Sequence, residues 1–123
     1  MGFNLLGHGW VRRVLSAARC PVIVIEAIMS LLSHSEVILA FRRRRYDPVH
    51  LLCGLPQGGP LSALLFVLCA DPLLCSLKAH EDVEIVLGYV DDWLCSTKNI
   101  EIMPSLQSIC MTFAAASGLK FNL

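Results

Sequence analysis

The 123-residue chain has room for one compact domain, or for a portion of one, and 55% of its residues are hydrophobic while only 16% are charged. This composition excludes an intrinsically disordered protein, which needs low hydrophobicity and high charge. The ten basic and ten acidic side chains cancel, and a net charge of zero argues against a generic nucleic-acid binder of high pI.

The zero net charge conceals two halves of opposite sign. Residues 1–60 carry seven basic and three acidic side chains, whereas residues 61–123 carry three basic and seven acidic ones. The first half is therefore suited to contact phosphate and the second to hold cations. Two solvated faces of an ordinary domain explain the same distribution.

A membrane-spanning or secreted protein is disfavoured. The apolar run 61–77 is interrupted by Asp71-Pro72, and the run 21–41 contains two glutamates. The first ten residues lack the features of a signal peptide, and the six cysteines and four histidines match no zinc-ligand spacing. We therefore expect an intracellular chain, nuclear or cytoplasmic, that contacts no membrane and whose cysteines are reduced and buried.

The first half of the chain predicts two helices and a hairpin. Apolar periodicity indicates a helix over residues 7–18, and Pro21 suits the first turn of a second helix that continues to about Leu32. The β-rich runs 36–41 and 49–53 predict two strands joined at a basic turn. Four arginines at or near its tip suit contact with several phosphates, and a solvated turn that blocks edge aggregation is an equally good interpretation. They are Arg42, Arg43, Arg44 and Arg45.

The second half predicts helix, hairpin, helix. Residues 61–77 follow Pro60 and are apolar all round, which is typical of a core helix. Residues 83–90 and 93–95 predict two strands joined tightly at Asp91-Asp92. Pro104 begins a last amphipathic helix and Gly118 ends it. The complete order indicates an α+β fold in which a small sheet and helices pack as layers.

Asp91 and Asp92 are the clearest candidate for a functional site. Adjacent carboxylates repel, and desolvation by Tyr89, Val90 and Trp93 increases the repulsion unless a proton or a cation compensates. Hard oxygen ligands on a rigid turn suit Mg²⁺. Taken alone, an Asp-Asp pair in a turn is more often structural.

The glycine- and proline-rich segment 54–62 is the second candidate. Its three glycines allow a backbone to approach a ligand closely, and the helix that follows offers unpaired N–H groups to an anion. Gln57 adds a hydrogen-bonding group, but no Gly-Lys-Ser/Thr follows as in a P-loop. Without other context this segment is a loop and helix cap.

Three motifs in order resemble a known family. The runs 54–66 and 70–74 resemble the Pro-Gln-Gly motif region of reverse transcriptases from non-LTR retrotransposons. The run 88–92 resembles the Tyr-x-Asp-Asp box, with Val90 where Ala is usual in that branch. Residues 116–123 resemble the Ser-Gly-Leu-Lys-x-Asn segment that follows in those enzymes. A relative of the group II intron or viral RNA polymerase branches is a more distant alternative.

The resemblance implies a right-handed polymerase palm, with residues 1–123 forming a partial domain that is cut at both ends and lacks fingers and thumb. Its partners in the intact enzyme would be an RNA template, a DNA primer and deoxynucleoside triphosphates, with two Mg²⁺ ions carrying nucleotidyl transfer. Asp91 and Asp92 would be the catalytic metal ligands. Template, primer and nucleotide would be contacted by Tyr89, Pro56, Gln57, Gly58, Gly59 and Ser62.

One part of the family pattern is not matched. Family members carry a further metal-binding Asp in an Asp-x-x-x-x-Phe run, and if Phe3 is that Phe, the Asp precedes Met1. We therefore expect an incomplete metal site and a chain that does not polymerise without the missing polymerase segments. Such a chain is expected to expose a strand edge and apolar patches. The alternative is a non-catalytic retroelement relic or a weak nucleic-acid-binding module.

Overall fold

The computed structural model describes residues 4–89 and 92–121, and these form the predicted order of elements. The fold is α+β, with helices and small antiparallel sheets. The first half contains α1 (His8–Ala17), α2 (Val22–Ser33), β1 (Glu36–Val37), β2 (Ala40–Phe41), β3 (Arg44–Arg45) and β4 (Val49–His50). The second half contains α3 (Pro60–Lys78), β5 (Val83–Tyr89), β6 (Asp92–Thr97), a short 3-10 helix (Ile100–Ile102) and α4 (Met103–Ser117).

Helices α1 and α2 pack against each other near the N-terminus. Pro21 lies just before α2, at the N-cap position instead of in the first turn. Arg12 Nη1 donates to Glu26 Oε1 at 2.6 Å across the pair, and this hydrogen bond lowers the pKa of the Glu26 carboxyl. The apolar side chains that the pair buries recur at helical spacing: Val11, Leu15, Ile25, Ile28 and Leu32.

Helix α3 runs without a break through Pro72. Proline has no N–H, so the carbonyl of Leu68 loses its helical donor, and the next carbonyl, that of Cys69, accepts a hydrogen bond from Trp10 Nε1 at 3.0 Å. The helix predicted over residues 61–77 is therefore confirmed, and Asp71-Pro72 does not break it. By length and composition α3 is able to cross a membrane, a property shared by core helices of soluble proteins.

The expectation that α3 is buried all round was also wrong. The helix packs on α1, α4 and β5, but no described element covers the side that carries Leu61, Leu64 and Val67. Leu64 is 57% exposed. The buried side consists of Leu65, Phe66, Cys69, Ala70, Leu73 and Leu77.

The predicted basic hairpin is confirmed, in two short ladders. β1 pairs with β4 at its base, and β2 pairs with β3 near its tip, with Phe41 opposite Arg44. Arg42 and Arg43 form the turn, whereas Arg44 and Arg45 belong to the returning strand. Every residue from 36 to 50 is exposed, so the hairpin stands away from the core.

The second hairpin packs on α3. β5 and β6 pair from Val83 opposite Thr97 to Tyr89 opposite Asp92. Asp92 therefore begins a strand and does not lie in the turn, because the ladder continues further than the apolar pattern indicated. Val86 is buried, while Ile85 and Leu87 on the other face of β5 are exposed.

Helix α4 ends as predicted at Gly118, which has φ +82°. Aromatic rings connect α4 to α1 and β6: Trp10 meets Phe113 edge to face at 5.4 Å, and Phe121 lies 6.2 Å from Phe113 and 5.6 Å from Trp93. These contacts bring the chain beyond Gly118 against the hairpin β5–β6.

The expectation of buried cysteines holds for only part of the set. Cys69 is buried, and burial raises the pKa of its thiol to about 12. Cys20 and Cys110 are half-buried. The prediction was wrong for three cysteines, which lie on exposed surfaces of loop, helix and strand: Cys53, Cys75 and Cys95.

Candidate functional site

The hairpin β5–β6 presents Tyr89 and Asp92 side by side. The two residues are directly opposite in the antiparallel register, so both side chains project from the same face. Tyr89 is 81% exposed and Asp92 is also exposed. Residues 90 and 91 connect the strands and lie outside the described residues, so the predicted role of Asp91 stays a prediction.

Gly88 positions this pair. A Cβ atom at Gly88 would lie 3.1 Å from Leu74 Cδ1 and 3.2 Å from Trp93 Cδ1. Trp93 is opposite Gly88 in the register, and both are on the face of the hairpin turned towards α3. Because glycine lets Leu74 and Trp93 approach the strand, its end is held against α3 and Tyr89 is directed outward.

The chemistry of Asp92 fits a magnesium ligand. Mg²⁺ uses one or two protein carboxylates and completes its coordination with water and substrate phosphates, so a single exposed carboxylate beside a second Asp in the sequence is a suitable donor set. Across residues 4–89 and 92–121, no group of three histidine, cysteine, aspartate or glutamate side chains is arranged to hold a metal.

The Pro-Gln-Gly loop forms a cavity at the start of α3. Gly58 has φ +93°, and nothing lies within 4 Å of where its Cβ would be, so the backbone conformation and not space favours glycine there. Gly59 is the N-cap of α3 and Pro60 its first residue. The cavity has a volume of about 570 Å³ and is lined by Gln57, Gly58, Gly59, Pro60, Ser62 and Ala63.

An N-terminal segment joins this loop to the end of α4. The amide of Gly54 donates to the Leu6 carbonyl at 2.8 Å, and the amide of Gly7 donates to the Ser117 carbonyl at 2.8 Å. Residues 4–7 therefore lie between the first and third sequence motifs and hydrogen-bond to both.

The contact between Asn4 and Gln57 was not predicted from the sequence. Gln57 Nε2 donates to Asn4 Oδ1 at 3.4 Å, and the Asn4 carbonyl accepts a hydrogen bond from Cys53 Sγ at 3.5 Å. The amide of Gln57 is thereby directed towards the N-terminal segment. A single polar residue in an irregular segment has no periodicity, so the sequence contained no signal for this contact.

A second cavity brings the loop together with the base of the basic hairpin. It has a volume of about 640 Å³, and Pro56 and Gln57 line it together with Glu36 and Val37 of β1. The cavity beside Tyr89 and Asp92 shares no lining residue with the two beside the loop. Gln57 therefore lies beside the base of the basic hairpin, whereas an approach of the loop to Asp91 and Asp92 stays a prediction.

The basic hairpin combines arginines with aromatic rings. The guanidinium of Arg42 lies 5.2 Å from the centroid of the Phe41 ring, a cation–π contact at the tip. Phe41 and Tyr46 are both exposed. Sequence reasoning singled out the arginines and missed these rings, although aromatic residues bracketing a basic run were a visible signal.

Comparison with known proteins places these motifs in a family. Residues 1–123 match the sequence model of the family described as reverse transcriptase (RNA-dependent DNA polymerase). The chain is also similar to the retrovirus-related Pol polyprotein from type-1 retrotransposable element R2 of Popillia japonica. The two are 32% identical over 77 residues, covering 56% of the chain and 11% of that protein.

A second curated relative covers more of the chain. The transposon TX1 uncharacterized 149 kDa protein of Xenopus laevis is 23% identical over 129 residues, covering 98% of the chain and 10% of that protein. The chain thus spans about a tenth of the length of the curated relatives it matches. The family indicated by the three motifs is confirmed.

Proposed function

The chain belongs to the reverse transcriptase family, and we propose that its residues 1–123 form part of the palm of an RNA-directed DNA polymerase from a non-LTR retrotransposon. One observation supports this most strongly. The Tyr-x-Asp-Asp box falls at the end of the hairpin β5–β6, with Tyr89 and Asp92 on one exposed face. The Pro-Gln-Gly loop directly precedes α3, the helix on which that hairpin packs.

Asp91 and Asp92 hold the catalytic Mg²⁺ in the intact enzyme. When bound, the metal lowers the barrier to attack by the primer 3′ hydroxyl and neutralises charge on the departing pyrophosphate. Asp92 contributes a carboxylate from the first position of β6, where pairing with Tyr89 fixes its backbone. Tyr89 contacts the primer or the nucleotide from the same face of the hairpin.

The loop before α3 lies along the template and the incoming nucleotide. Gly58 and Gly59 leave the backbone open to close approach, and Gln57 offers both a donor and an acceptor. Ser62 lines the first cavity beside this loop and Pro56 lines the second. The nucleic-acid backbone is contacted by Arg42, Arg43, Arg44 and Arg45.

These 123 residues are not sufficient for polymerisation. Two-metal phosphoryl transfer requires more carboxylate ligands than one adjacent pair supplies. The further Asp of the family's Asp-x-x-x-x-Phe run is not among these 123 residues. Fingers, thumb and the further Asp are contributed by other polymerase segments. The complete enzyme acts in the nucleus or cytoplasm, where it meets an RNA template, a DNA primer and deoxynucleoside triphosphates.

A non-catalytic nucleic-acid-binding relic is the second candidate. The exposed arginines of the basic hairpin favour it, since phosphate contact requires no metal. The two functions differ in what Asp91 does. A relic needs no carboxylate there, whereas a polymerase segment needs it in every catalytic cycle.

Primer extension on an RNA template with Mg²⁺ tests the proposal. The isolated chain is expected to give no extended primer, and the same residues within a longer product that supplies the further Asp are expected to extend it. Asp91→Ala should abolish that extension. Extension by the isolated chain that Asp91→Ala removes would refute its inactivity, and an Asp91→Ala product that extends normally would refute the metal-binding role.

A further inference from the structure

We propose that the basic hairpin, residues 36–50, binds single-stranded nucleic acid in preference to duplex, through an aromatic face made of Leu39, Phe41, Arg44 and Tyr46. This proposal rests on the proposed function, because it assumes that the arginines of the hairpin meet nucleic acid. It adds the form of the ligand and the stacking residues that select it.

The register places these four side chains on one face. Phe41 is opposite Arg44, and the Tyr46 amide donates to the Leu39 carbonyl at 2.9 Å, which extends the same ladder. Opposite residues share a face, and residues two apart along a strand share it too. Ala40 and Arg45 consequently project from the other face.

The aromatic face is accessible along its whole length. Phe41 is 62% exposed and Tyr46 is 53% exposed. The Arg42 guanidinium lies over the Phe41 ring, 5.2 Å from its centroid, so a cation adjoins this face at the tip. The two exposed rings offer faces on which unpaired bases are able to stack, and the adjacent guanidinium adds positive charge.

The positive charge of the hairpin favours a polyanion as its ligand. Its acidic residues are Glu36 and Asp47, and Glu36 pairs with His50 at the base, 3.4 Å from His50 Nδ1 to Glu36 Oε1. The four arginines are therefore little neutralised near the tip. A duplex keeps its bases stacked internally and offers chiefly phosphates to such a surface, whereas a single strand offers phosphates and free base faces together.

Fluorescence anisotropy with the 123-residue chain tests this preference, using a labelled oligouridylate and an RNA duplex of the same length. We expect the single strand to bind about tenfold more tightly, the size of effect that one stacked base contributes. The double variant Phe41→Leu, Tyr46→Leu keeps apolar area but removes the rings. It should weaken single-strand binding about tenfold and leave duplex binding unchanged.

Two further variants separate the contributions. Arg44→Gln with Arg45→Gln should weaken binding to both ligands and reduce its salt dependence. Leu52→Ala, at a 90% exposed apolar residue beyond β4, should change neither affinity. Circular dichroism spectra matching that of the wild-type chain establish that each variant is folded.

Several outcomes would overturn the proposal. Equal affinity for the two ligands, or single-strand binding that survives loss of both rings, would refute the stacking role while leaving phosphate contact by the arginines intact. Binding of neither ligand would refute the hairpin's role altogether without touching the metal site of the proposed function. A dimer that the ring variant dissociates, with no bound oligonucleotide, would show that a second copy covers this face.

Discussion

Arg42 and Arg43 occupy backbone conformations that asparagine and glycine normally fill in a two-residue hairpin turn. Their φ angles are +48° and +65°, and each costs a side-chain-bearing residue roughly 1–2 kcal/mol relative to glycine. Both residues are exposed, and the cation–π contact with Phe41 is a modest compensation. Arginine at these positions therefore places charge at the tip at the expense of hairpin stability.

Replacing the turn with its preferred residues should reverse that balance. In the double variant Arg42→Asn, Arg43→Gly we expect the free energy of opening the hairpin to rise by about 1 kcal/mol. The hydrogen exchange of the Tyr46 amide should then be roughly fivefold slower. The same variant should bind RNA more weakly, because two phosphate contacts are lost. Arg44→Gln with Arg45→Gln is the matched control, which removes equal charge without altering the turn. Faster exchange in the Asn-Gly variant would contradict the strain.

Some of the site residues were predictable from the sequence and others were not. The hairpin that carries Tyr89 was predictable because two β-rich apolar runs on either side of a short break predict a hairpin, whereas the start of β6 at Asp92 was not. The contact of Asn4 with Gln57 was not, because it joins residues 53 positions apart through irregular backbone. The positive φ angles of Arg42 and Arg43 were not predictable either, since side-chain preference argues against them.

At the scale of elements, Gly54 and Gly118 both pack closely against the backbone of the N-terminal segment 4–7. A Cβ at Gly54 would lie 2.9 Å from the Asn4 carbonyl carbon, and one at Gly118 would lie 2.7 Å from the Leu5 carbonyl oxygen. Both glycines have positive φ, +86° and +82°. The loop before α3 and the end of α4 are therefore joined through a backbone contact that tolerates no side chain.

Gly118→Ala should break this junction. A left-handed alanine is strained by roughly 1–2 kcal/mol, and its clash with the Leu5 carbonyl adds to that, so we expect the free energy of unfolding to fall by about 2–3 kcal/mol. Gly9→Ala is the control, because Gly9 lies in α1 with nothing within 4 Å of a Cβ, and stability there should be unchanged or slightly higher. Urea denaturation measures both variants. Equal free energies of unfolding for Gly118→Ala and Gly9→Ala would refute the close contact of Gly118 with segment 4–7.

Helices and hairpins were predictable where the apolar pattern agrees with the proline and glycine residues that begin or end an element. Pro60 and Gly118 lie at the helix ends that their chemistry predicts, and the order of elements followed from apolar periods. The exposed side of α3 was not predictable, because a helix that is apolar all round has no polar face to identify the side left uncovered. The division of residues 36–50 into two short ladders was not predictable, because the composition of the run does not show where its pairing is interrupted.

Over the whole molecule, large apolar side chains remain on the surface of several elements. On α2, Ile23 is 80% exposed, and on the outer face of the second hairpin Leu87 and Leu94 lie opposite each other with more than half of their surface accessible. Leu64 of α3 is a further exposed apolar side chain. The expected exposure of apolar patches is confirmed in the described part of the chain.

The isolated chain should therefore self-associate. Exposed apolar side chains and open strand edges favour association, and Leu87→Thr with Leu94→Thr should reduce the associated fraction measured by sedimentation velocity. Met111→Thr, at an exposed residue of α4, is the control and should have a smaller effect. A wild-type chain that stays monomeric and melts cooperatively would contradict this expectation.

Terbium luminescence tests most directly whether Asp91 and Asp92 form a metal site. Tb³⁺ is an oxygen-seeking ion that emits when a nearby aromatic ring is excited, and Tyr89 and Trp93 flank Asp92 in the hairpin. We expect emission that Mg²⁺ suppresses by competition, that Asp91→Asn with Asp92→Asn abolishes, and that Glu81→Gln with Asp82→Asn at the opposite end of the hairpin preserves. Emission that survives loss of Asp91 and Asp92, or that disappears in the control, would contradict the account.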